Sequence, residues 1–350
     1  MGRRGAQLFR RGQPFTFTGV NAYQLATDFA VNYGCGQAVD LDRFFASVGP
    51  GRVVRTWLFQ TEGVNRTRRA VDWTAVDRVV HAAERHGVLL VLVLGEQAGT
   101  CDDGHWHDPE WYRGGYRQRF DDNGNHTNVV SWWQWLHAVV PRYRASPAVA
   151  MWEPVNEPQT SDCPPPFRGK DCYGHGSCPG GNAELLRSWF DTVGAEIHRL
   201  DPIHLVASGT IGNGECGAWQ KYYALMGASS GVDVLTVHDY DPAPLNPTMA
   251  QHIDQAREIG KPLVFEEVGT DGGARCALTA AARARVLQAK RDAVRAHPSV
   301  AGFLLWQWVQ VGGDPCGLEF PPGDPALAQV AEMAHPEAWA MPPQEATRPD

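Results

Sequence analysis

One recurrence constrains this chain more than any other feature. Short, apolar, β-branched runs are each followed, after a polar break, by a helical stretch with one apolar face. The runs cover 15–23, 52–59, 88–94, 148–153, 203–208, 232–239, 262–266 and 301–306. Several are apolar throughout, which suits strands buried on both faces of a parallel sheet. Helical patterns cover 72–86, 129–143, 183–200, 249–259 and 279–297. The stretch 72–86 is the clearest: Asp72 can cap it, Trp73, Val76, Val80 and Ala83 share a face, and Gly87 ends it. Eight strands alternating with helices predict an α/β fold, a closed (β/α)8 TIM barrel with loop insertions at its C-terminal face. A chain of 350 residues accommodates one such domain, expected over 1–335, with a Pro- and Ala-rich tail over 336–350. An open dinucleotide-binding sheet loses support, because no G-x-G-x-x-G follows the first run, and no P-loop is present.

Composition narrows the partners. Hydrophobic residues make up 43% and charged residues 20%, enough to fill a large core, which excludes a disordered chain. The net charge is −8 and the 31 Lys and Arg are scattered, so neither nucleic acid nor an anionic membrane surface is expected as a partner. The longest unbroken apolar run, from Val88 to Leu94, falls far short of the roughly 20 residues that span a bilayer, so no membrane insertion is expected. Eight cysteines (Cys35, Cys101, Cys163, Cys172, Cys178, Cys216, Cys276 and Cys316) sit mostly in loop-like stretches without a CxxC pair. They predict disulfides rather than a zinc site, and an extracellular protein. Met1-Gly2-Arg3-Arg4 has no apolar segment behind it, so a signal peptide is not present in this chain. A monomer is expected.

Two insertions stand out. The first, 95–127, carries Trp106, Trp111, Tyr112 and Tyr116; the second, 159–181, carries Cys163, Cys172 and Cys178 among Pro and Gly. Both follow strands and would sit where barrel active sites are built. The second is too polar to hold itself by packing, and disulfides would supply the constraint.

The polar residues at strand C-terminal ends are the functional candidates. The second run ends Arg55-Thr56-Trp57, the fourth Glu153-Pro154-Val155-Asn156-Glu157, the sixth His238-Asp239-Tyr240, the seventh Glu266-Glu267, and the eighth Trp306-Gln307-Trp308. Paired carboxylates beside aromatic rings suit glycoside hydrolysis, in which one acid protonates the leaving oxygen and the other attacks or activates water.

Trp152-Glu153-Pro154-Val155-Asn156-Glu157-Pro158 resembles the W-E-x-x-N-E-P signature of clan A glycoside hydrolases, above all family 5. Lys261 to Gly269 is similar to that family's K-P-x-x-x-E-E-[FVY]-G, and Asp233 to Tyr240 to its D-x-x-T-x-H-x-Y. Arg52 to Trp57 and Asp201 to Val206 resemble its endo-β-1,4-mannanase branch. The resemblance implies a retaining hydrolase of β-linked polysaccharide or oligosaccharide that needs no cofactor and no metal. Glu157 would be the acid/base, with a raised pKa, and Glu267 the ionised nucleophile. Arg55 and Tyr240 would donate to Glu267, Asn156 would bind the sugar 2-hydroxyl, His238 would hold the acid/base or a sugar hydroxyl, and Trp306 would floor the sugar.

Other readings compete. A β-glucanase or an exo-acting β-glycosidase fits the same pair, and a carbohydrate-binding barrel without catalysis is the reading from another class. Glu153 reads as a paired structural carboxylate. Glu266 is expected on the opposite strand face from Glu267. Trp308 is expected to pack, and Trp57, Trp106, Trp111 and Trp219 to pack or line further subsites. Asp102, Asp103, His105, His107 and Asp108 read as a solvated loop rather than a metal site. The third run departs from the mannanase pattern: it ends Leu94-Gly95-Glu96-Gln97, where those enzymes carry an Asn-Trp pair.

Overall fold

The fold is known from a computed structural model that describes residues 1–121, 128–270, 278–313 and 317–331. Eight parallel strands form from the eight apolar runs: β1 (Phe17–Asn21), β2 (Val53–Trp57), β3 (Leu89–Val93), β4 (Val149–Glu153), β5 (Leu205–Val206), β6 (Leu235–Asp239), β7 (Leu263–Val268) and β8 (Val300–Leu305). Their hydrogen-bonded order is β5-β4-β3-β2-β1-β8-β7-β6. The two ends of that sheet meet. Ser208 N–H donates to Val234 O, and Asp233 and Val234 N–H both donate to Val206 O. The sheet is therefore a closed TIM barrel, with no free edge to protect.

Each strand leads into a helix: α1 (Leu41–Val48), α2 (Thr74–His86), α3 (Trp132–Tyr143), α4 (Asn182–Leu200), α5 (Lys221–Gly227), α6 (Pro247–Ile259), α7 (Ala280–Arg295) and the single turn α8 (Ala328–Ala331). The helix periodicity had not flagged α1 or α5, since both are too short for a sustained pattern. Asp40 caps α1 by accepting from Arg43 N–H, and Phe44, Phe45 and Val48 are its buried face. Gly87 ends α2 in the left-handed conformation, at φ 65°. Asp72 acts one residue further out than expected, accepting from Thr74 N–H at 3.1 Å and Thr74 Oγ1 at 2.6 Å.

The core has two parts. Val53, Leu89, Val91, Ala150, Met151, Val234, Val264, Ala301 and Leu304 belong to one inner cluster, floored by Leu8. Leu8 comes from an unexpected amino-terminal hairpin (Gly2–Arg4, Gln7–Arg10 and Gln13–Pro14) that closes the end opposite the functional loops. The larger cluster lies between strands and helices and includes Trp135, Trp152, Trp189 and Phe190. Asp201 ties β4 to the approach to β5, accepting from Trp152 Nε1 at 2.8 Å and lying 2.7 Å from His204 Nδ1.

Three disulfides lace the loops at the strand C-terminal face. Cys35–Cys101 joins the loops after β1 and β3. Cys163–Cys172 closes the insertion after β4 on itself, and Cys178–Cys216 fastens it to the loop after β5. Cys276, Cys316 and the tail from 336 lie outside the described residues.

The seat of α4 on the barrel depends on the absence of a side chain. A Cβ on Gly194 would lie 2.0 Å from Gly231 O, a backbone atom that cannot rotate away. Gly194→Ala would gain about 1 kcal/mol of helix propensity, but overpacking against backbone costs about 1–3 kcal/mol or more. The expected result is a thermal midpoint several degrees below wild type; an unchanged or raised midpoint would show that α4 shifts freely.

Candidate active site

The strand ends converge on Arg55, at the end of β2, which is wholly buried. Burying a guanidinium requires that its charge be paired and its N–H groups be accepted. Glu153 at the end of β4 supplies a two-pronged partner, with Nε to Oε2 at 2.8 Å and Nη2 to Oε1 at 2.6 Å. Nη2 also donates to Asn156 Oδ1 at 2.6 Å, and Nη1 donates to Asn21 Oδ1 at 3.0 Å and to Glu267 Oε1 at 2.5 Å. One cation thus orients groups from β1, β4 and β7. Asn21 is held in turn by donating to Glu266 O and Leu305 O.

Glu267 receives a second donor, Tyr240 Oη, on Oε2 at 2.5 Å. His238 sits between the two acids, with Nδ1 2.9 Å from Glu157 Oε1 and 3.5 Å from Glu267 Oε2. One donor atom each of Glu157, His238 and Glu267 lie within 4.8 Å of one another. Among the described residues this trio alone has the spacing of a metal site. Arg55, hydrogen-bonded to Glu267, repels any cation that would enter it.

The charges are set by burial and by these neighbours. Burial opposes the charged His238 ring, but Glu267 and the bond and charge of Glu157 raise its pKa to about 9. Burial also pushes Glu157 up, yet the His238 bond and charge, with Tyr173 and Arg55, bring it below its ordinary value. Glu267 is raised, by burial and by Glu157, against the pull of His238 and Arg55. The expected order, Glu157 raised and Glu267 held low, is therefore reversed in the free site. His238, which carries its proton against Glu157, lowers that acid, while burial raises Glu267 despite the same ring.

Two further expectations need correcting. Glu266 does not face away from Glu267. It is buried, 3.6 Å from Arg55 Nε and 4.0 Å from His238 Nε2, and its pKa is raised to about 8, by burial and by Glu153. Regular alternation fails here because the pairing of β7 slips against β6 and against β8. The segment 102–108 is solvated only in part, with Asp108 exposed and His105 half-buried. Asp102, Asp103 and His107 are buried, His107 Nε2 lies 2.9 Å from Asp103 Oδ2, and its ring stacks on Trp111 at 3.8 Å.

The aromatic residues divide. Trp306 is partly exposed and packs with Tyr23 and Trp57. Trp308 is buried against Phe44, and Trp111 lies in a cluster with Tyr112, Tyr116, Trp132 and Trp189. Trp219 is exposed. Reading the strand ends missed Asn21, although it ends β1 by the same logic as the others. Glu96 stands at the end of the third run but was not given a role, and Glu215 and Tyr173 were missed because their loops give no local sign of where they fold.

No protein-family model matches the chain. Its sequence is similar to "Probable mannan endo-1,4-beta-mannosidase F" of Aspergillus flavus, 28% identical over 311 residues, which cover 77% of this chain and 60% of that protein. It is also similar to "Mannan endo-1,4-beta-mannosidase 7" of Oryza sativa subsp. japonica, 26% identical over 322 residues and covering 76% of each. The fold is similar to that of an endo-1,4-beta-mannanase from Rhizomucor miehei, with a TM-score of 0.67, 20% identity, and coverage of 94% of this chain and 96% of that one. A glycoside hydrolase family 5 mannosidase from the same organism gives a TM-score of 0.59 at 14% identity, covering 93% and 94%. One of these proteins is described as a family 5 mannosidase and the other three as endo-1,4-β-mannanases or mannosidases, the family and the branch whose motifs the strand ends resemble.

Removing Arg55 should expose its central role. Arg55→Met leaves Glu153, Glu266 and Glu267 buried without their cation, a loss of about 3–5 kcal/mol. Acids with raised pKa destabilise the fold when ionised, so this loss should shrink as pH falls and they take up protons. Melts of wild type and variant at pH 8 and pH 5 should show a gap that narrows in acid; a constant gap would mean that the carboxylates do not depend on Arg55.

Proposed function

We propose that this chain is a retaining glycoside hydrolase of the family 5 type that cleaves β-linked polysaccharide, β-1,4-mannan first among them. The single observation that carries this reading is the carboxylate pair. Glu157 and Glu267 present oxygens within 4.8 Å of each other, which suits retention, where the acids stand about 5–5.5 Å apart, and leaves no room for the water of an inverting enzyme.

The chemistry runs in two displacements. A Glu267 oxygen attacks the anomeric carbon as the glycosidic C–O bond breaks, and the leaving oxygen takes a proton from Glu157. That proton is stored across the Glu157–His238 pair, whose ring holds it to about pH 9. Esterification then removes the charge of Glu267, the foremost charge holding the ring's proton. The pair's proton affinity falls as its role changes from acid to base. Water next gives a proton to Glu157 and attacks the anomeric carbon, breaking the ester and restoring Glu267. Asn156, its oxygen committed to Arg55, keeps its NH2 to donate to the sugar 2-hydroxyl. Trp306, beside Tyr23 and Trp57, offers the ring under the sugar. Disulfide-laced loops fit a secreted enzyme working in an oxidising medium.

Digestion of mannan, glucan, xylan and galactan with product sizing tests the substrate. A ladder of oligosaccharides from mannan is expected; release of single sugars from chain ends would favour an exo-acting β-glycosidase, and preference for glucan a β-glucanase. Glu267→Ala should lose about a thousandfold or more in kcat, and full activity in that variant would remove the nucleophile assignment.

The dependence on pH follows from the same groups. Activity should fall in acid as Glu267, raised above the ordinary carboxylate range, takes up a proton. It should fall in base as the Glu157–His238 pair loses its proton near 9. A profile level from pH 4 to pH 10 would contradict both limbs.

A further inference from the structure

The insertion after β4 brings one side chain back to the reaction centre. Tyr173 lies between the two disulfides that hold this segment, next to Cys172 of Cys163–Cys172 and five residues before Cys178 of Cys178–Cys216. The segment is fastened again where Ser177 N–H and Oγ donate to the Asp162 carboxylate, at 2.5 and 2.9 Å. The Tyr173 ring stands edge-on to Trp106 of the other insertion, 5.1 Å between centroids, and Trp106 is pinned by donating from Nε1 to Ser161 O at 2.9 Å. The Tyr173 hydroxyl is buried and reaches no partner in good hydrogen-bonding geometry. It nevertheless lies close enough to the Glu157 carboxylate to help lower that group's pKa. A buried phenol beside a carboxylate, without a settled bond, is a donor available to that carboxylate once His238 gives up its proton.

We propose that Tyr173, held by the disulfide-bonded insertion, is a positioning residue for Glu157 that donates to its ionised form and favours the base half of the reaction. This rests on the reading of Glu157 as acid/base. The phenol itself stays protonated throughout, because burial and then Glu157 and Glu96 push its pKa well above 10. In the second displacement it donates to one Glu157 oxygen while the other accepts the proton of the attacking water, so no proton leaves Tyr173. In the first displacement the same bond opposes protonation of Glu157, and His238 offsets it by storing the proton on the other side.

Several charged or titratable groups face this pair. Glu96 and Tyr112 lie on the side of the first insertion, Glu215 in the loop after β5, and Arg55, His238 and Glu267 on the strand ends. All of them remain in place when Tyr173 loses only its oxygen, so Tyr173→Phe isolates the phenol. The variant keeps the ring against Trp106 and should fold as wild type does.

The test uses a mannoside with an activated aryl leaving group, which needs no protonation, so that hydrolysis of the glycosyl-enzyme limits the rate. With Tyr173→Phe we expect the acidic limb of this kcat to move up by about half a unit to one unit, because Glu157 in the glycosyl-enzyme ionises less readily, so that below the limb kcat falls about three- to tenfold and KM falls with it. The basic limb of kcat/KM on mannan should move up by about half a unit to one unit, because a donor to the deprotonated form has been removed. The double variant Cys163→Ser with Cys172→Ser should move the limb in the same direction.

An unchanged limb together with an unchanged aryl mannoside rate in Tyr173→Phe would overturn the assignment. A shift in Tyr173→Phe with none in the cysteine double variant would overturn the part given to the tether. Failure of the underlying reading looks different: wild type would then hydrolyse no glycoside, or Glu157→Ala would keep full activity on mannan.

Discussion

A guanidinium with no access to water imposes the condition on which the site depends. Arg55 must have every N–H accepted and its charge matched, and the acceptors come from three strands that are distant in the chain. Glu153 meets it with both oxygens, and Asn21, Asn156 and Glu267 take the remaining donors. Satisfying one buried cation therefore sets the directions of a strand-one amide, a strand-four amide and a strand-seven acid together. A network of this kind tolerates little slack, because each member left unpaired carries a desolvation cost, largest for the charged groups. The same rigidity suits a site whose attacking oxygen must be held before any substrate arrives.

Charge storage follows from that frame. With Arg55 committed to Glu153 and Glu267, the remaining acid, Glu157, finds its cationic partner in His238. Glu266 has no strong donor; Oε2 lacks a hydrogen bond, and its pKa of about 8 leaves it largely neutral at pH 7. The buried charges are thereby kept close to balance. On the proposed reading, the proton that a glycosidic oxygen requires is held between Glu157 and His238. In the proposed mechanism, a ring that sheds its proton as Glu267 loses its charge would let the site change role between the half-reactions without moving any backbone.

Loops supply what the barrel does not. The strands and helices pack through local apolar faces, whereas the insertions after β3 and β4 have little apolar surface of their own beyond the Trp111 cluster. Disulfides substitute for a core in the second insertion, much as they do in small secreted domains. Its consequence is reach: a polar, Gly-rich segment is held near Glu157 with a ring set edge-on to Trp106. In the first insertion the buried Asp103–His107 contact and the His107 ring stacked on Trp111 add to the packing of the Trp111 cluster.

What the sequence by itself determined is the barrel and the roster of strand-end groups. Apolar runs and helix periodicity are local properties, and each of the eight strands formed where its run lies. Arg55, Asn156, Glu157, His238, Tyr240 and Glu267 could be named because a parallel barrel sends every strand terminus to one face. Tertiary structure alone decided the rest. Glu266 turned toward Arg55 because the pairing of β7 slips, which no alternation rule can anticipate. Tyr173 reached the site through a loop whose course depends on its disulfide partners, one of them Cys216 in the loop after β5. The order of the two carboxyl pKa values reversed because ionisation depends on burial and on charges from other strands. Those energies exist only once the chain has closed and water has been excluded.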